Sequence, residues 1–209
     1  MQARVWDFWA SRYEGLWVQR YSLTPTREMV IKELSGIIDE SREYRLLDMG
    51  CGTGQLIRDI RSAFPKARLD CVGVDISPRM IEAASANNPH TRFILGSIDD
   101  AEGAGDFDII VCTHSLPYYR KQKQALGKLS AMLKPGGHLL LAQASVNSLY
   151  DALAMFLVKY TTGRARYPSI ATIKQMAAAY FSCLNYQVIR EKWYMPTIAL
   201  FVLGQGEKA

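Results

Sequence analysis

The stretch from Arg45 to Leu56 places the tightest constraint on how this chain can fold. Its letters run RLLDMGCGTGQL, a short apolar run followed by three glycines at alternate positions and then by a helical pattern. This order predicts a buried strand, a tight loop and the start of a helix. Glycine can take the positive φ angles of such a loop and lets a ligand lie directly on the backbone. The free N–H groups of the helix start make the corner a ligand-binding position at the carboxyl edge of a parallel sheet.

The spacing of the glycines excludes two common nucleotide-binding loops. A dinucleotide-binding G-x-G-x-x-G motif that begins at Gly50 would need a third glycine where Gln55 stands. A phosphate-binding loop would need a Lys-Ser or Lys-Thr pair after its glycines, and none follows. The chain instead has D-x-G-x-G-x-G, in which Asp48 precedes the three glycines. A carboxylate at this place repels a pyrophosphate but suits a ligand that carries an ammonium group.

This motif closely resembles the first motif of class I S-adenosylmethionine-dependent methyltransferases, in which the loop holds the methionine end of the cofactor. Two other segments are similar to the same family. Phe107-Asp108 matches its F-D-x-I/V pattern, and residues 133–137 (LKPGG) match its L-x-P-G-G turn before the fifth strand. The resemblance implies that the methionine end of S-adenosylmethionine is bound by Asp48, Gly50, Cys51, Gly52 and Gly54.

A second acid lies at the distance expected in a nucleoside site. Asp75 stands at the end of the apolar run 67–76, and it follows Gly54 by 21 residues. An acid at this place in a nucleotide-binding α/β fold accepts hydrogen bonds from ribose hydroxyls. Because parallel strands end at one edge of a sheet, the sequence predicts that Asp75 and Asp48 face the same ligand.

The expected adenine pocket follows the family pattern only in part. The resemblance implies that Ile76, Met80 and Ile98 bracket the adenine ring. Members of the family commonly have an acid directly after the glycine of the third strand, whereas Ser97 stands there in this chain. Either Asp99, or Ser97 together with backbone groups, is then left to bind the adenine amino group.

The fourth predicted strand, residues 106–113, should end beside the reacting methyl group if the family pattern holds. Thr113 and His114 stand at this end, and His114 is the candidate general base because histidine can take a proton near neutral pH. A lone histidine is more often a packed or hydrogen-bonded residue, so both roles stay open. An aromatic acceptor pocket is expected from Tyr13, Tyr21, Tyr118 and Tyr119.

The aromatic residues of the N-terminal segment recur at helical spacing, which predicts one or two helices over residues 1–30. Residues 10–14 (ASRYE) resemble the W-A-x-x-Y-D segment of the lid in small-molecule methyltransferases. The resemblance and the order of elements predict an α/β fold with three α/β/α layers and a mostly parallel seven-stranded sheet that ends in an antiparallel C-terminal hairpin. We expect one domain with a lid at 1–40, a cofactor-binding core at 45–144, a substrate cap at 145–168, and a last helix and hairpin at 169–209.

At 209 residues, with 49% apolar and 22% charged side chains, the chain has the composition of one soluble globular domain. No apolar run reaches the roughly 18 residues of a membrane-spanning helix. Asp7 and Glu14 interrupt any signal-peptide pattern, which predicts a cytoplasmic protein. The four cysteines form no C-x-x-C pair or Cys/His cluster, so we expect reduced thiols and no metal site.

The net charge of +5 is distributed unevenly along the chain. Residues 1–119 carry 13 basic and 17 acidic side chains, whereas residues 120–209 carry 12 basic and 3 acidic ones. A basic second half could attract an anionic substrate, a membrane surface or a nucleic acid. More often such residues form a solvated face.

Three functions stay compatible with the sequence. The favoured one is transfer of a methyl group from S-adenosylmethionine to an O, N, S or C atom of a small molecule, by a monomer or a homodimer. Residues 115–118 (SLPY) differ at one position from a motif of enzymes that methylate DNA, RNA or protein, which keeps these acceptors as an alternative. The missing RNA-binding module weighs against a nucleic acid. The third possibility is a catalytically silent scaffold that retains the fold.

Overall fold

A central β-sheet carries helices on both of its faces. The computed structural model describes residues 3–162, 165–190, 192 and 195–205. The strands are β1 (Glu43–Met49), β2 (Arg68–Asp75), β3 (Arg92–Leu95), β4 (Phe107–Thr113), β5 (Leu133–Ala144), β6 (Cys183–Ile189) and β7 (Ile198–Gly204). The α-helices are α1 (Ala3–Ala10), α2 (Thr24–Leu34), α3 (Gln55–Ala63), α4 (Pro78–Asn87), α5 (Ile98–Ala101), α6 (Gln122–Ala131), α7 (Leu149–Thr162) and α8 (Ile170–Ala177).

The seven strands form one sheet in the order β3-β2-β1-β4-β5-β7-β6. Strands β1 to β5 pair in parallel, whereas β7 is antiparallel to both of its neighbours, β5 and β6. The C-terminal hairpin therefore completes the sheet: β7 lies between β5 and β6, and β6 is the edge strand. This topology confirms the predicted fold. It also brings the carboxyl ends of β1, β2, β4 and β5 to one edge of the sheet, where ligands bind in open α/β folds.

Consecutive residues of the central strands are buried on opposite faces of the sheet. In β1, Leu46 belongs to the apolar cluster under α2 and α3, and Leu47 belongs to the cluster under α6 and α8. Both side chains are fully buried. Burial on both faces explains why this strand is a continuous apolar run instead of an alternating one. The glycine loop therefore starts from a rigid central strand.

The N-terminal segment is more broken than the sequence predicts. Before α2 it contains, in place of one or two continuous helices, α1, a 3-10 turn at Tyr13–Gly15 and a π-helical turn at Gln19–Leu23. Pro25 lacks the backbone N–H through which a regular helix would bond to residue 21. The widened turn accommodates this missing bond, as π-helical turns commonly do within helices.

The prediction that a turn at residues 133–137 precedes the fifth strand is wrong about where the strand begins. β5 already starts at Leu133, which pairs with Phe107, and the next pair joins His138 to Ile109. Residues 134–137 therefore bulge out of the ladder opposite a single residue of β4, with Gly136 at a φ angle of 76°. The glycine permits a bulge within the strand, whereas the sequence predicts a turn before the strand.

The segment predicted to cap the substrate site contains α7. Leu149, Leu153 and Phe156 of this helix are exposed, by 91%, 61% and 52% respectively. Residues 163 and 164 of the same segment lie outside the described residues. Across the described ranges, α7 included, no helix is both long and apolar enough to cross a membrane.

Candidate active site

The loop after β1 turns on three glycines with positive φ angles, 83° at Gly50, 53° at Gly52 and 75° at Gly54. The N–H groups of Gly50 and Cys51 donate to the carbonyl of Val74 in β2 at 2.8 and 3.0 Å. These bonds hold the loop against the neighbouring strand. The backbone of the loop is therefore fixed at the carboxyl edge in a conformation that residues other than glycine rarely adopt.

The three glycines do not all serve the same purpose. A Cβ at Gly54 would lie 2.5 Å from the Nδ2 atom of Asn88, so this glycine is needed for packing against α4. A Cβ at Gly50 would lie 2.5 Å from the side chain of Ser115. At Gly52 the nearest atom would be in the Tyr13 ring, at 3.7 Å. Gly52 is thus the glycine that leaves room above the backbone.

Asp48 is a buried carboxylate without a hydrogen-bond partner among the described residues. The residue is 1% exposed, and neither side-chain oxygen is bonded. Burial, and to a smaller extent the charge of Asp75, raises the pKa of Asp48 to about 7. A buried carboxylate stays charged at little cost only beside a cation or hydrogen-bond donors. The residue is therefore suited to a ligand that brings a positive charge.

Asp75 ends β2 and fastens the glycine loop. Its Oδ2 atom accepts a hydrogen bond from the N–H of Gly52 at 3.0 Å, and its Oδ1 atom accepts one from the N–H of Ser77 at 2.9 Å. Burial raises the pKa of this carboxyl group, while the backbone donors lower it. Each carboxylate oxygen can accept a further bond. Asp75 can therefore anchor the loop and still accept a ribose hydroxyl.

A cavity of about 50 Å³ lies between the glycine loop and the N-terminal segment. Seven of the predicted site residues line it, namely Tyr13, Asp48, Gly50, Cys51, Gly52, Thr113 and His114. This volume holds about one or two water molecules. A nucleoside therefore needs the Tyr13 side chain and its segment to move away from the loop.

Arg27 of α2 also lines this cavity, and the sequence did not predict it. Its guanidinium donates to Asp59 at 2.7 Å, to Gln19 at 3.0 Å, to Gln55 at 3.4 Å and to Thr24 at 3.0 Å. These bonds use four of the five guanidinium N–H groups and leave one free within the described residues. No motif surrounds Arg27, so only the three-dimensional packing of α2 on α3 reveals its place.

The predicted adenine contacts are brought together only in part. Ile76 is 37% exposed directly after β2, whereas Met80 in α4 and Ile98 in α5 are buried. Ser97 caps α5 by accepting a hydrogen bond from the N–H of Asp99 at 3.2 Å. The Asp99 carboxylate pairs with a lysine of α6. The pair is exposed, so Asp99 or Ser97 as the adenine contact stays a prediction, and Ile76 is the most accessible of the three apolar members.

His114 follows Thr113 at the end of β4, and it is the one non-glycine residue of the described chain with a positive φ angle, 55°. Its backbone N–H donates to the carbonyl of Ala142 at 2.7 Å, and its Nε2 atom lies 3.0 Å from the hydroxyl of Thr26. Burial, with a smaller effect from the charge of Arg27, lowers its pKa to about 4. The imidazole is therefore neutral at physiological pH, and its strained backbone marks a functional candidate.

The four predicted aromatic residues fall into two groups. Tyr13 lies over the glycine loop, and Tyr118 meets Trp6 edge to face with ring centroids 5.1 Å apart. Tyr119 packs against the apolar core, where burial raises its pKa, and Tyr21 lies under the guanidinium of an adjacent arginine. Trp6 also meets Tyr13, at 6.5 Å, so that Tyr13 and Tyr118 belong to one aromatic cluster beside the cavity.

Two acids fasten the N-terminal segment across the carboxyl edge. Asp7 accepts a hydrogen bond from the hydroxyl of Ser77 at 2.6 Å, and Glu14 accepts one from the hydroxyl of Thr53 at 3.0 Å. Ser77 follows β2, and Thr53 belongs to the glycine loop. The segment thus covers the corner between β1 and β2, which is where a lid over the cofactor would lie.

Two polar residues at the carboxyl end of β5 were missed by sequence reasoning. Gln143 and Ser145 are completely buried, and neither the amide nor the hydroxyl has a hydrogen-bond partner among the described residues. Together with Asp48 they hold five of the eight buried side-chain atoms that lack a partner in the described part of the chain. An unmet group of this kind costs about 1–3 kcal/mol unless water or a ligand satisfies it. The available signal was a polar pair within the apolar run LLLAQAS.

A basic cleft of about 490 Å³ lies beside the residues that follow β4. The cations that line it are Arg120, Lys121, Lys123 and Arg166. None of them has an acidic partner among the described residues, whereas Lys128 and Lys134 are neutralised by Asp99, Glu102 and Asp108. The N–H of Arg166 donates to the carbonyl of Pro117 at 2.8 Å, which places the cleft next to the aromatic cluster.

Comparison with protein families agrees with this geometry. The profile of the methyltransferase domain family matches residues 17–181 of the chain. The chain therefore belongs to this family, whose members use S-adenosylmethionine, and the resemblance carried by the glycine motif is confirmed.

A curated relative shows how much of a longer protein the chain matches. Malonyl-[acyl-carrier protein] O-methyltransferase of Halalkalibacterium halodurans is 31% identical over 150 residues, which cover 68% of this chain and 54% of that protein. The chain spans about half the length, or less, of the first curated relatives that it matches.

Solved structures support the fold. A chain from the complex of the Haloferax volcanii Trm112 methyltransferase activator with a putative methyltransferase superposes with a TM-score of 0.78 at 17% identity, covering 100% of this chain and 99% of that one. Magnesium protoporphyrin IX methyltransferase from Synechocystis, with bound S-adenosylhomocysteine, gives a TM-score of 0.73 at 18% identity, covering 97% and 98%. At these identities the likeness is one of architecture.

Proposed function

We propose that this chain binds S-adenosylmethionine at the corner between β1 and β2 and transfers its methyl group to a small molecule. The observation that carries the proposal is the Asp48 carboxylate, buried and unpaired among the described residues beside the open backbone of Gly52. The cofactor carries an ammonium group of matching charge. Asp75 stands one strand away with acceptor capacity for the ribose. The residues present therefore fit the cofactor.

The remaining contacts follow from the residues around the cavity. The free N–H of Arg27 would bind the carboxylate of the methionine moiety, beside its ammonium group on Asp48. Ile76 would cover one face of the adenine ring, and Thr113 and His114 would lie near the methyl group. When bound, the cofactor supplies a sulfonium-linked methyl group that is open to in-line displacement by a nucleophile about 3 Å away. The chain then has to orient the acceptor and exclude water.

The acceptor is, in this proposal, a small molecule that carries a carboxylate or a phosphate. The cations of the basic cleft, which have no acidic partner within the described ranges, create a positive potential that attracts anions to this side of the edge. The malonyl group methylated by the Halalkalibacterium relative carries a carboxylate as well. Gln143 and Ser145 at the end of β5, whose side chains bond to none of the residues that the structure describes, would supply the neutral polar contacts.

Two experiments test the proposal in sequence. Isothermal titration with S-adenosylmethionine should show stoichiometric binding, and the absence of binding would leave the catalytically silent scaffold. A screen that follows transfer of a radiolabelled methyl group should then find acceptors among carboxylates and phosphates and fail with their uncharged amide analogues. Turnover confined to uncharged molecules would refute the anionic class of acceptor.

A further inference from the structure

The hydroxyl of Thr26 lies between two partners whose chemistry fixes the direction of both hydrogen bonds. Thr26 is completely buried in the first turn of α2, and its Oγ1 atom lies 2.7 Å from the carbonyl oxygen of Ser22 and 3.0 Å from Nε2 of His114. A carbonyl oxygen only accepts, so the single hydrogen of the hydroxyl is donated to Ser22. The hydroxyl can then only accept from His114. Its imidazole must therefore carry its hydrogen on Nε2.

This arrangement leaves the other ring nitrogen with a free lone pair. In a neutral imidazole one nitrogen carries a hydrogen and the other accepts. Burial keeps the pKa of His114 at about 4, so the ring is neutral at physiological pH. No described residue bonds Nδ1, and His114 lines the cavity together with Asp48 and Thr113. The accepting nitrogen is therefore Nδ1, at the end of the strand where the methyl group is expected.

We propose that Thr26 is a positioning residue that locks His114 in the Nε2–H form, so that Nδ1 takes the proton of the acceptor during methyl transfer. The inference rests on the proposed function. In the step, the bond between the methyl carbon and sulfur breaks, and its electron pair stays on the sulfur of the resulting thioether. A bond forms between the methyl carbon and the acceptor atom, which releases its proton to Nδ1. The protonated imidazole, acidic at its lowered pKa, returns the proton to water.

The proposal also gives the N-terminal segment a second task besides covering the cofactor corner. Thr26 and His114 are separated by 88 positions in the chain and meet only when α2 is seated at the end of β4. The positive φ angle of His114 and the bond from its N–H to β5 hold the backbone side of the same residue. The backbone of His114 is thus held by β5 and its ring by Thr26, which gives a proton acceptor a fixed position.

Nuclear magnetic resonance tests the tautomer without any acceptor. Long-range ¹⁵N–¹H spectra of protein labelled at its three histidines, with His114→Asn to assign the signal, should show a protonated Nε2 and an unprotonated Nδ1. Thr26→Ser, which keeps the hydroxyl, should preserve this pattern. Thr26→Val, which keeps the shape, should lose it. A hydrogen on Nδ1 of the wild-type protein would overturn the proposal, and this result does not depend on cofactor binding.

Kinetics with an acceptor from the methyl-transfer screen whose methylated atom carries a proton at pH 7 test the role. We expect Thr26→Val to lower kcat at least 10-fold while the Kd for S-adenosylmethionine stays within 2-fold, and Thr26→Ser to restore kcat. Thr91→Val removes a buried hydroxyl before β3, away from the cavity, that bonds to no other described residue, and it should change neither constant. Equal kcat values in Thr26→Val and the wild type would overturn the proposal even if the enzyme binds its cofactor normally.

Discussion

The two halves of the sheet's carboxyl edge present different chemical groups to a ligand. The half at β1 and β2 consists of backbone groups, the buried Asp48 and the partly buried Asp75, held by glycines at positive φ angles and by bonds from Gly52 and Ser77 to Asp75. The half at β4 and β5 consists of side chains: the imidazole of His114, the aromatic cluster, the buried amide of Gln143 and the cations of the basic cleft. The first half has one short motif. The second half draws on segments that are far apart in the chain.

This difference teaches which part of the site is common to the fold and which part belongs to this chain. A site made of backbone groups can be encoded by one contiguous sequence motif, because the loop conformation itself supplies the N–H donors. A site made of side chains on separate loops can change its chemistry without changing the fold. The β1–β2 half is therefore expected to hold the same cofactor as other family members, and the β4–β5 half to select the acceptor.

The largest effect should come from removing the acid that serves the cofactor half. Asp75→Ala takes away the proposed ribose acceptor and the anchor of the glycine loop. We expect the Kd for S-adenosylmethionine to rise by about 100-fold or more, since bonds to a charged group contribute about 1.5–3 kcal/mol each. Asp70→Ala, on the same strand in an exposed pair with Arg45, is the matched control and should leave the Kd unchanged. Titration calorimetry measures both, and an unchanged Kd in Asp75→Ala would remove the ribose assignment.

A second prediction concerns the stability of the free protein. The pKa of Asp48 is about 7 when folded and about 3.9 in an unfolded chain. The folded state therefore binds the proton more tightly, and stability falls as pH rises from about 4 to about 7. The cost above pH 7 is at most about 4 kcal/mol. We expect Asp48→Asn to be more stable than the wild type at pH 8 and to lose this advantage near pH 4, as measured by urea unfolding. A pH-independent difference would contradict the raised pKa.

A smaller effect is expected on the acceptor half. Lys123→Glu reverses one charge of the basic cleft, and it should raise the KM of an anionic acceptor about 5-fold at low salt, in line with a partly screened surface charge. The Kd for S-adenosylmethionine should not change. Lys66→Glu, in the exposed turn before β2 at the opposite edge, alters net charge equally and serves as control. Equal KM values for the two variants would show that the cleft does not select the acceptor.

The comparison also explains how far the sequence could predict the site. The position of Asp48, the glycines and Asp75 at one edge was predictable, because the first two belong to one strand–loop–helix motif and Asp75 ends the next strand. Arg27 was not, since its place depends on how α2 packs on α3 and no local pattern records that packing. The sequence offered Asp99 as an adenine contact, but its pairing with Lys128 depends on a helix that comes 29 residues later.

The fold was predictable to a similar degree and for a similar reason. Continuous apolar runs and glycine-rich turns define the parallel strands and their order of elements. The sequence did not predict the bulge at residues 134–137 or the π-helical turn at Gln19–Leu23. The conformation of each depends on how the segment packs against a neighbouring strand or helix, and the residues of the segment alone do not determine it. That Lys123 has no acidic partner among the described residues, whereas Lys134 pairs with Asp108, likewise follows only from their surroundings.

The pH dependence of cofactor binding tests the central claim most directly. If Asp48 must be ionised to hold the ammonium group, the affinity for S-adenosylmethionine should rise about 10-fold per pH unit from pH 5 to pH 7. The affinity should fall again above about pH 8, because an α-amino group loses its proton there. Asp48→Asn should bind weakly and lack the rise below pH 7. An affinity that is flat from pH 5 to pH 7 in the wild type, or equal in the two proteins, would contradict the account.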